Sequence, residues 1–346
     1  MIDDAPVNLF AQQEDNRTKS RWLVAGFVLF FMWLGFGGDI VLHQLTLDAP
    51  DGAYHHDLPW LGVVLTATGI ALAWYAWRSA ADRVLWALGA REVVSPTDAA
   101  EAQLLNVVQE MAIAAGIPVP TVHVIPDDDP NALATGIDAE HSHLAVTRGL
   151  LAACNRDELQ AVVGHEMGHI KNLDVRLMTV LAGLVGAVVL VRDGVLRAMR
   201  TGAFQVGGGS GRRGRSRDSG PLLYVLLAVW VFSWVLAPLV TQLITLAVSR
   251  KREFLADAMS AQFTRNPLAL ASALDKLERA SAPTSTIKRG VAHLCICDPA
   301  GRRMTAREGR LADLLATHPP MALRVARLRA MGYQELKRSG KFAAAS

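Results

Sequence analysis

In the stretch "VVGHEMGHIKNLD" (162–174), His165 and His169 stand four residues apart with Glu166 between them. On an α-helix residues i and i+4 share a face, so the two imidazoles can offer nitrogens to one metal ion. Glu166 is then placed to take a proton from a water at that ion, which is the chemistry of metal-assisted hydrolysis. Chance produces this spacing in on the order of one per cent of chains of such composition, and two imidazoles do not hold a catalytic ion alone. A third ligand is required. A histidine six residues after His169 would supply it, but position 175 is Val. The remaining source is a carboxylate on another helix. "SRKREFLADAMSA" (249–261) carries Glu253, with Asp257 one turn later on the same face. Glu253 would ligate and leave a fourth position open, while Asp257 would orient an imidazole from behind. An amphipathic helix with solvated acids beside Arg250, Lys251 and Arg252 reads the same way.

The local pattern puts the first motif on a helix. Asn155 is an N-cap with Glu158 three residues on, and Ala161, Val162 and Met167 supply an apolar face. Upstream, "AEAQLLNVVQEMAIAAG" (100–116) has apolar residues at helical spacing and stops at Gly116 before Pro118. "TVHVI" and "HLAVT" alternate as strands across the turn-rich "PDDDPN". An exposed strand edge near Leu144 to Thr147 is expected to hold an extended peptide.

With 51% hydrophobic residues and eight Trp, the chain is not an ordinary soluble protein. Trp22–Gly38 and Leu58–Trp77 are uncharged runs near the ~20 residues that cross a bilayer as helices. Arg17, Lys19 and Arg21 precede the first and Arg78 and Arg83 follow the second, whereas the intervening loop holds Asp39, Asp48, Asp51 and Asp57 without a Lys or Arg. By the positive-inside rule the N-terminus and the chain after Trp77 face the cytoplasm. The polar arm before Trp22 and the lack of a cleavage signal after Gly38 make the first run an anchor. Leu177–Val191 is short enough to be either an embedded helix or a core helix, and Pro221–Ser249 contains Pro238, which kinks a helix. From Arg192 to Asp218, seven Arg stand against two Asp, a charge that resists export. That loop would be outside in a plain four-span topology; it is expected inside, on anionic headgroups or simply solvated. A net charge of +3 gives no case for nucleic acid. Cys154, Cys295 and Cys297 form no CxxC pair and suit buried thiols.

The expected organisation is a polar arm (1–21), two transmembrane helices with a short periplasmic loop (22–77), a first part of a soluble domain (78–176), two hydrophobic helices with an Arg/Gly-rich loop (177–249) and a second part of that domain (250–346). The fold class is a mainly α membrane protein with a cytoplasmic α+β domain.

HEMGH, REFLAD, "PNALATG" (Pro130–Gly136), "VTRGLL" and "THPPMALRVARL" (Thr317–Leu328) follow one another in the order seen in HtpX-type membrane zinc metalloproteases, which the chain resembles from Trp22 to about Met331. These are relatives of the CAAX prenyl proteases. The resemblance implies a gluzincin-like peptidase fold and a bacterial inner-membrane endopeptidase with a cytoplasmic active site, engaged in quality control of membrane proteins. It implies one Zn2+ per chain on His165, His169 and Glu253, with Glu166 as base. It further implies that His318 stands near the metal and stabilises an oxyanion, that Arg324 braces the site, and that Asn131 lies where substrate backbone is received. Expected partners are unfolded or damaged membrane proteins and the lipid bilayer; the oligomeric state is open. His141 and His143 lack a partner at ligand spacing and read as surface residues, and His43, His55 and His56 fall across the membrane from the site. Two other functions fit less well. Prenyl-protein processing needs a large intramembrane chamber, for which four modest apolar runs are too few. A non-catalytic metal-binding scaffold or holdase has no use for Glu166.

Overall fold

The computed structural model describes residues 9–47, 50, 54–184, 250–280, 294–297 and 319–338. These group into two compact units, one within Met1–Ser20, Ser79–Ala182 and Ile244–Ser346, the other within Arg21–Arg78 and Gly183–Leu243. The run 221–249 and the loop 192–218 lie outside the described residues.

The second unit is built on two long helices, α1 (Leu9–Thr46) and α2 (Trp60–Ala87), whose ends continue into the first. Both are long and apolar enough to cross a membrane, over Gln13–Thr46 and Trp60–Ala87. Trp22, Leu29, Trp33, Val63, Val64, Ile70 and Trp74 are exposed, as lipid-facing side chains are. The helices pack closely because Gly35 meets Gly62: a Cβ on Gly35 would lie 2.7 Å from the Gly62 Cα. Asp39 on α1 accepts the backbone N–H groups of Leu61 (3.2 Å) and Gly62 (2.6 Å), donors that the first turn of α2 leaves unpaired. Its Oδ1 also lies 2.7 Å from Nε2 of buried His56. So Asp39 and His56, read above only as loop residues, staple the start of α2.

The first unit is an α+β domain. A four-stranded sheet has the order β1 (Arg91–Glu92), β2 (Thr121–Ile125), β4 (Ser142–Thr147), β3 (Ala132–Gly136). β2 and β4 are parallel, and β3 runs antiparallel to β4. One face, with Val122, Val124, Leu144 and Val146, is covered by α3 (Ala99–Ala115), α5 (Arg156–Lys171) and α7 (Pro267–Arg279). The opposite face packs Ile125, Leu133 and Ala145 against Val84, Leu85 and Leu88 and against Met178 of the helical stretch 174–184. A short helix, α4 (Arg148–Ala153), follows β4.

The expected strand edge is corrected by the sheet. β4 pairs on both sides, so Leu144 to Thr147 offers no edge; the edge strand is β3. β3 in turn carries residues 294–297, through a Leu133–Cys295 bridge and an Ile296 N–H donated to Ala132 O at 2.9 Å. The helix that carries the first apolar run, α1, begins at Leu9, within the arm 1–21.

α5 sits at the centre, buried almost all round. The expected capping box is present: Asn155 accepts from Glu158 N–H, and the Glu158 carboxylate accepts from Asn155 N–H. Gly164 and Gly168 make room for α6 (Arg250–Thr264). A Cβ on Gly168 would stand 3.3 Å from Ala256 Cα and one on Gly164 3.3 Å from Ser260 Oγ. Ser260 Oγ donates to Ala161 O at 2.6 Å and locks the contact. This close approach carries Glu253, in the first turn of α6, to the histidines.

Candidate metal centre

His165, His169 and Glu253 each offer a ligand atom within 4.8 Å of the others. The two Nε2 atoms are 3.2 Å apart, and the Glu253 carboxylate lies 3.7 Å from that of His165 and 3.4 Å from that of His169. Two nitrogens on a tetrahedral zinc, at about 2.05 Å each, stand about 3.3 Å apart, so the pair fits one ion. The other ring nitrogens are taken by carboxylates: His165 Nδ1 is 3.0 Å from Asp257 and His169 Nδ1 3.1 Å from Asp174. A ligating histidine held this way has its tautomer and ring plane fixed.

The electrostatics favour a cation. Burial opposes charge on His169, but Asp174 and Glu253 outweigh it and push the imidazole up to about 10. Burial, with Arg324 and His169 beside it and against the pull of Asp257, holds His165 below the usual histidine range, in the neutral form that ligates. Glu166 is buried, and burial together with Glu253 pushes it up to about 7 against the pull of His169 and Arg324. Its Oε1 has no hydrogen-bond partner among the described residues. A buried carboxylate with an uncommitted oxygen beside a cation site is equipped to exchange a proton.

Arg324, on α8 (Met321–Arg338), is completely buried. It donates from Nε (2.9 Å) and Nη2 (2.6 Å) to Asp257, reaches Glu253 Oε2 at 3.0 Å through Nη1, and donates from Nη1 to Ile296 O at 3.1 Å. The guanidinium thus holds both Glu253 of the candidate ligand set and Asp257 behind His165. Asp257 is held below the usual carboxylate range because Arg324 and His165 overcome its burial.

Asn131 immediately precedes β3. It is buried; its Nδ2 donates to Cys297 O at 2.9 Å and its Oδ1 accepts from Ala132 N–H at 3.0 Å, which ties residues 294–297 to β3. His318 lies outside the described residues. His143 is not a simple surface residue: it is half-buried with Nδ1 3.2 Å from Nε2 of buried His123, while His141 is exposed and bonded to Asp138. The three cysteines are buried and form no disulfide. Asp174 was missed as a site residue: it lies past the end of α5 and meets the His169 ring only through the turn at Leu173.

A helix bearing two histidines and a buried glutamate, joined by a carboxylate from a second helix, is the arrangement of a metallopeptidase centre. The Peptidase family M48 pattern matches residues 98–332. A protease HtpX homolog of Thermoanaerobacter pseudethanolicus is 40% identical over 272 residues, 78% of this chain and 85% of that protein. Another, of Streptococcus gordonii, is 36% identical over 93% of this chain and all of its own length. One from Dictyoglomus turgidum is 34% identical over 94% of this chain and 96% of that protein. The crystal structure of S. mikatae Ste24p aligns with TM-score 0.46 and 17% identity over 92% of this chain and 66% of that one. The chain belongs to peptidase family M48, among the HtpX-type proteases. It is a membrane-bound metalloprotease.

Proposed function

We propose that this chain is a zinc endopeptidase of the bacterial inner membrane. Its site faces the cytoplasm, holds one zinc on His165, His169 and Glu253, and cleaves unfolded or damaged membrane proteins in quality control. The observation that carries this reading is the convergence of those three ligand atoms within 4.8 Å beside the buried, uncommitted oxygen of Glu166. Zinc held there supplies a Lewis acid that polarises a peptide carbonyl and lowers the pKa of water. Glu166 takes the proton from the attacking water onto its carboxylate and returns it to the leaving amine. Asp174 and Asp257 hold the rings in place, and Arg324 holds Asp257 and Glu253. The basic flanks of the two apolar runs support the cytoplasmic orientation. A membrane-anchored site supports membrane proteins as the substrates within reach.

The test is cleavage of an unfolded membrane protein by the purified full-length chain in proteoliposomes, with and without a zinc chelator. Cleavage that chelator abolishes and zinc restores is expected. Cleavage indifferent to chelator would overturn the zinc reading, and cleavage confined to a prenylated peptide would replace the quality-control reading with prenyl-protein processing.

A further inference from the structure

The turn after α5 brings Asp174 back under His169, and the backbone there is strained. Leu173 has φ 59°, a left-handed conformation that a bulky side chain rarely adopts, and it is buried. Something must hold this turn. The last carbonyls of a helix lack partners within it, and in α5 these are taken up by the beginning of α1. Gln13 Nε2 donates to Lys171 O at 2.7 Å, and Asn16 Nδ2 donates to Asn172 O at 2.9 Å. The same Asn16 amide donates to Asp174 Oδ1 at 2.8 Å. Both acceptors lack protons to give, so the amide orientation is fixed by chemistry: the NH2 faces them. Asn16 is fully buried, and Ser20 Oγ donates to its backbone carbonyl at 2.7 Å.

The contacts form a line: Asn16 holds one oxygen of Asp174, and the other oxygen faces His169 Nδ1 at 3.1 Å. We propose that Asn16 is a positioning residue of the metal centre, acting through Asp174 on the orientation of the His169 ring. Asn16 lies on α1, which runs unbroken from Leu9 to Thr46 and contains the apolar stretch long enough to cross a membrane. The helix that anchors the chain therefore also supports a metal ligand. Gln13 provides an internal control, because it joins the same two helices without touching Asp174.

This inference rests on the zinc reading above, and the experiment separates the two. Zinc dissociation constants are measured by chelator competition on the detergent-solubilised full chain for wild type, Asn16→Leu and Gln13→Ala. Visible spectra of the Co2+-substituted forms and the kcat and KM of each are recorded with them. Asn16→Leu is expected to weaken zinc roughly 10-fold, the low end for residues that orient a ligand, and to change the Co2+ bands and kcat more than KM. Gln13→Ala is expected to leave zinc affinity and spectrum as in wild type. If Asn16→Leu does not fold, Asn16→Ser, whose hydroxyl falls short of Asp174, is measured in its place. A wild-type zinc affinity and Co2+ spectrum in the Asn16 variant would overturn the proposal, as would an equal loss in Gln13→Ala, which would assign the effect to helix docking. A wild-type chain that binds no zinc would overturn the zinc reading and this inference together; zinc binding unaffected by Asn16 would overturn this inference alone.

Discussion

Arg324 holds Glu253 and Asp257 at once in a place without solvent, so its removal leaves two buried carboxylates without their cation. Breaking such a cluster costs about 3–5 kcal/mol. Arg324→Met is expected to lower stability to urea by that amount and to lose metal; a variant as stable and as metal-rich as wild type would remove Arg324 from the account. His318→Ala is expected to keep zinc and slow turnover if that residue acts on the oxyanion, as the family resemblance implies. Metal analysis beside kcat decides it, and loss of zinc would make His318 a support instead. His165, Glu166 and His169 were legible because helical spacing alone brings them together, and Glu253 through the resemblance carried by REFLAD, since its own stretch reads equally as a solvated amphipathic helix. Asp174 was hidden because its place depends on the left-handed turn at Leu173, which no spacing rule anticipates. Asn16 was hidden by distance: 158 residues separate it from the acid it holds. The bond from Asn131 to Cys297 was hidden because the letters do not say whether its amide meets solvent or a distant carbonyl.

Among the elements, α5 decides the site and its two ends carry separate tests. At the N-terminal end Glu158 closes the capping box and also binds Ser272 and Lys276 of α7, both at 2.7 Å. Its burial would raise its pKa, but Lys276, Ser272 and the Asn155 N–H outweigh that and hold it below the ordinary carboxylate value of 4.5. A carboxylate lowered on folding stabilises fully above its unfolded pKa, and that contribution is lost as pH falls from about 4.5 through the folded value. Glu158→Gln is therefore expected to lower thermal stability near neutral pH by roughly 1 kcal/mol and to flatten the acid limb of Tm against pH. An unchanged acid limb would mean that Glu158 does not carry this linkage. Along the helix, Gly168→Leu is expected to push α6 away, because the Ala256 backbone lies in the path of the new side chain, and to weaken metal binding through displacement of Glu253. Metal retained at wild-type affinity would show that α6 can move without carrying its ligand away. Helices with strong periodicity or caps, such as α3 and α5, were readable in advance. β3 was not, since "ALATG" sets two alanines and a glycine, poor strand formers, around Leu133 and Thr135, and only its pairing with β4 makes it a strand. That omission is also why β4 was mistaken for an edge.

At the scale of the whole molecule, the claim is that a membrane anchor and a metal centre serve one hydrolytic function. Topology is tested by a single Cys at Ser210 in a variant lacking the three native cysteines. An impermeant thiol reagent added outside intact cells is expected to leave it unlabelled, because the arginines around it resist export; labelling would restore a plain four-span arrangement. The division of labour between Glu166 and Glu253 is measured as zinc content and substrate cleavage in proteoliposomes. Glu166→Gln is expected to keep about one zinc per chain while hydrolysis falls by roughly 10² to 10⁴ fold, since a proton acceptor is lost and a ligand is not. Glu253→Ala is expected to lose the zinc to a chelator, being reduced to two protein ligands. Zinc retained in both variants, together with wild-type cleavage by Glu166→Gln, would contradict the assignment of base and ligand.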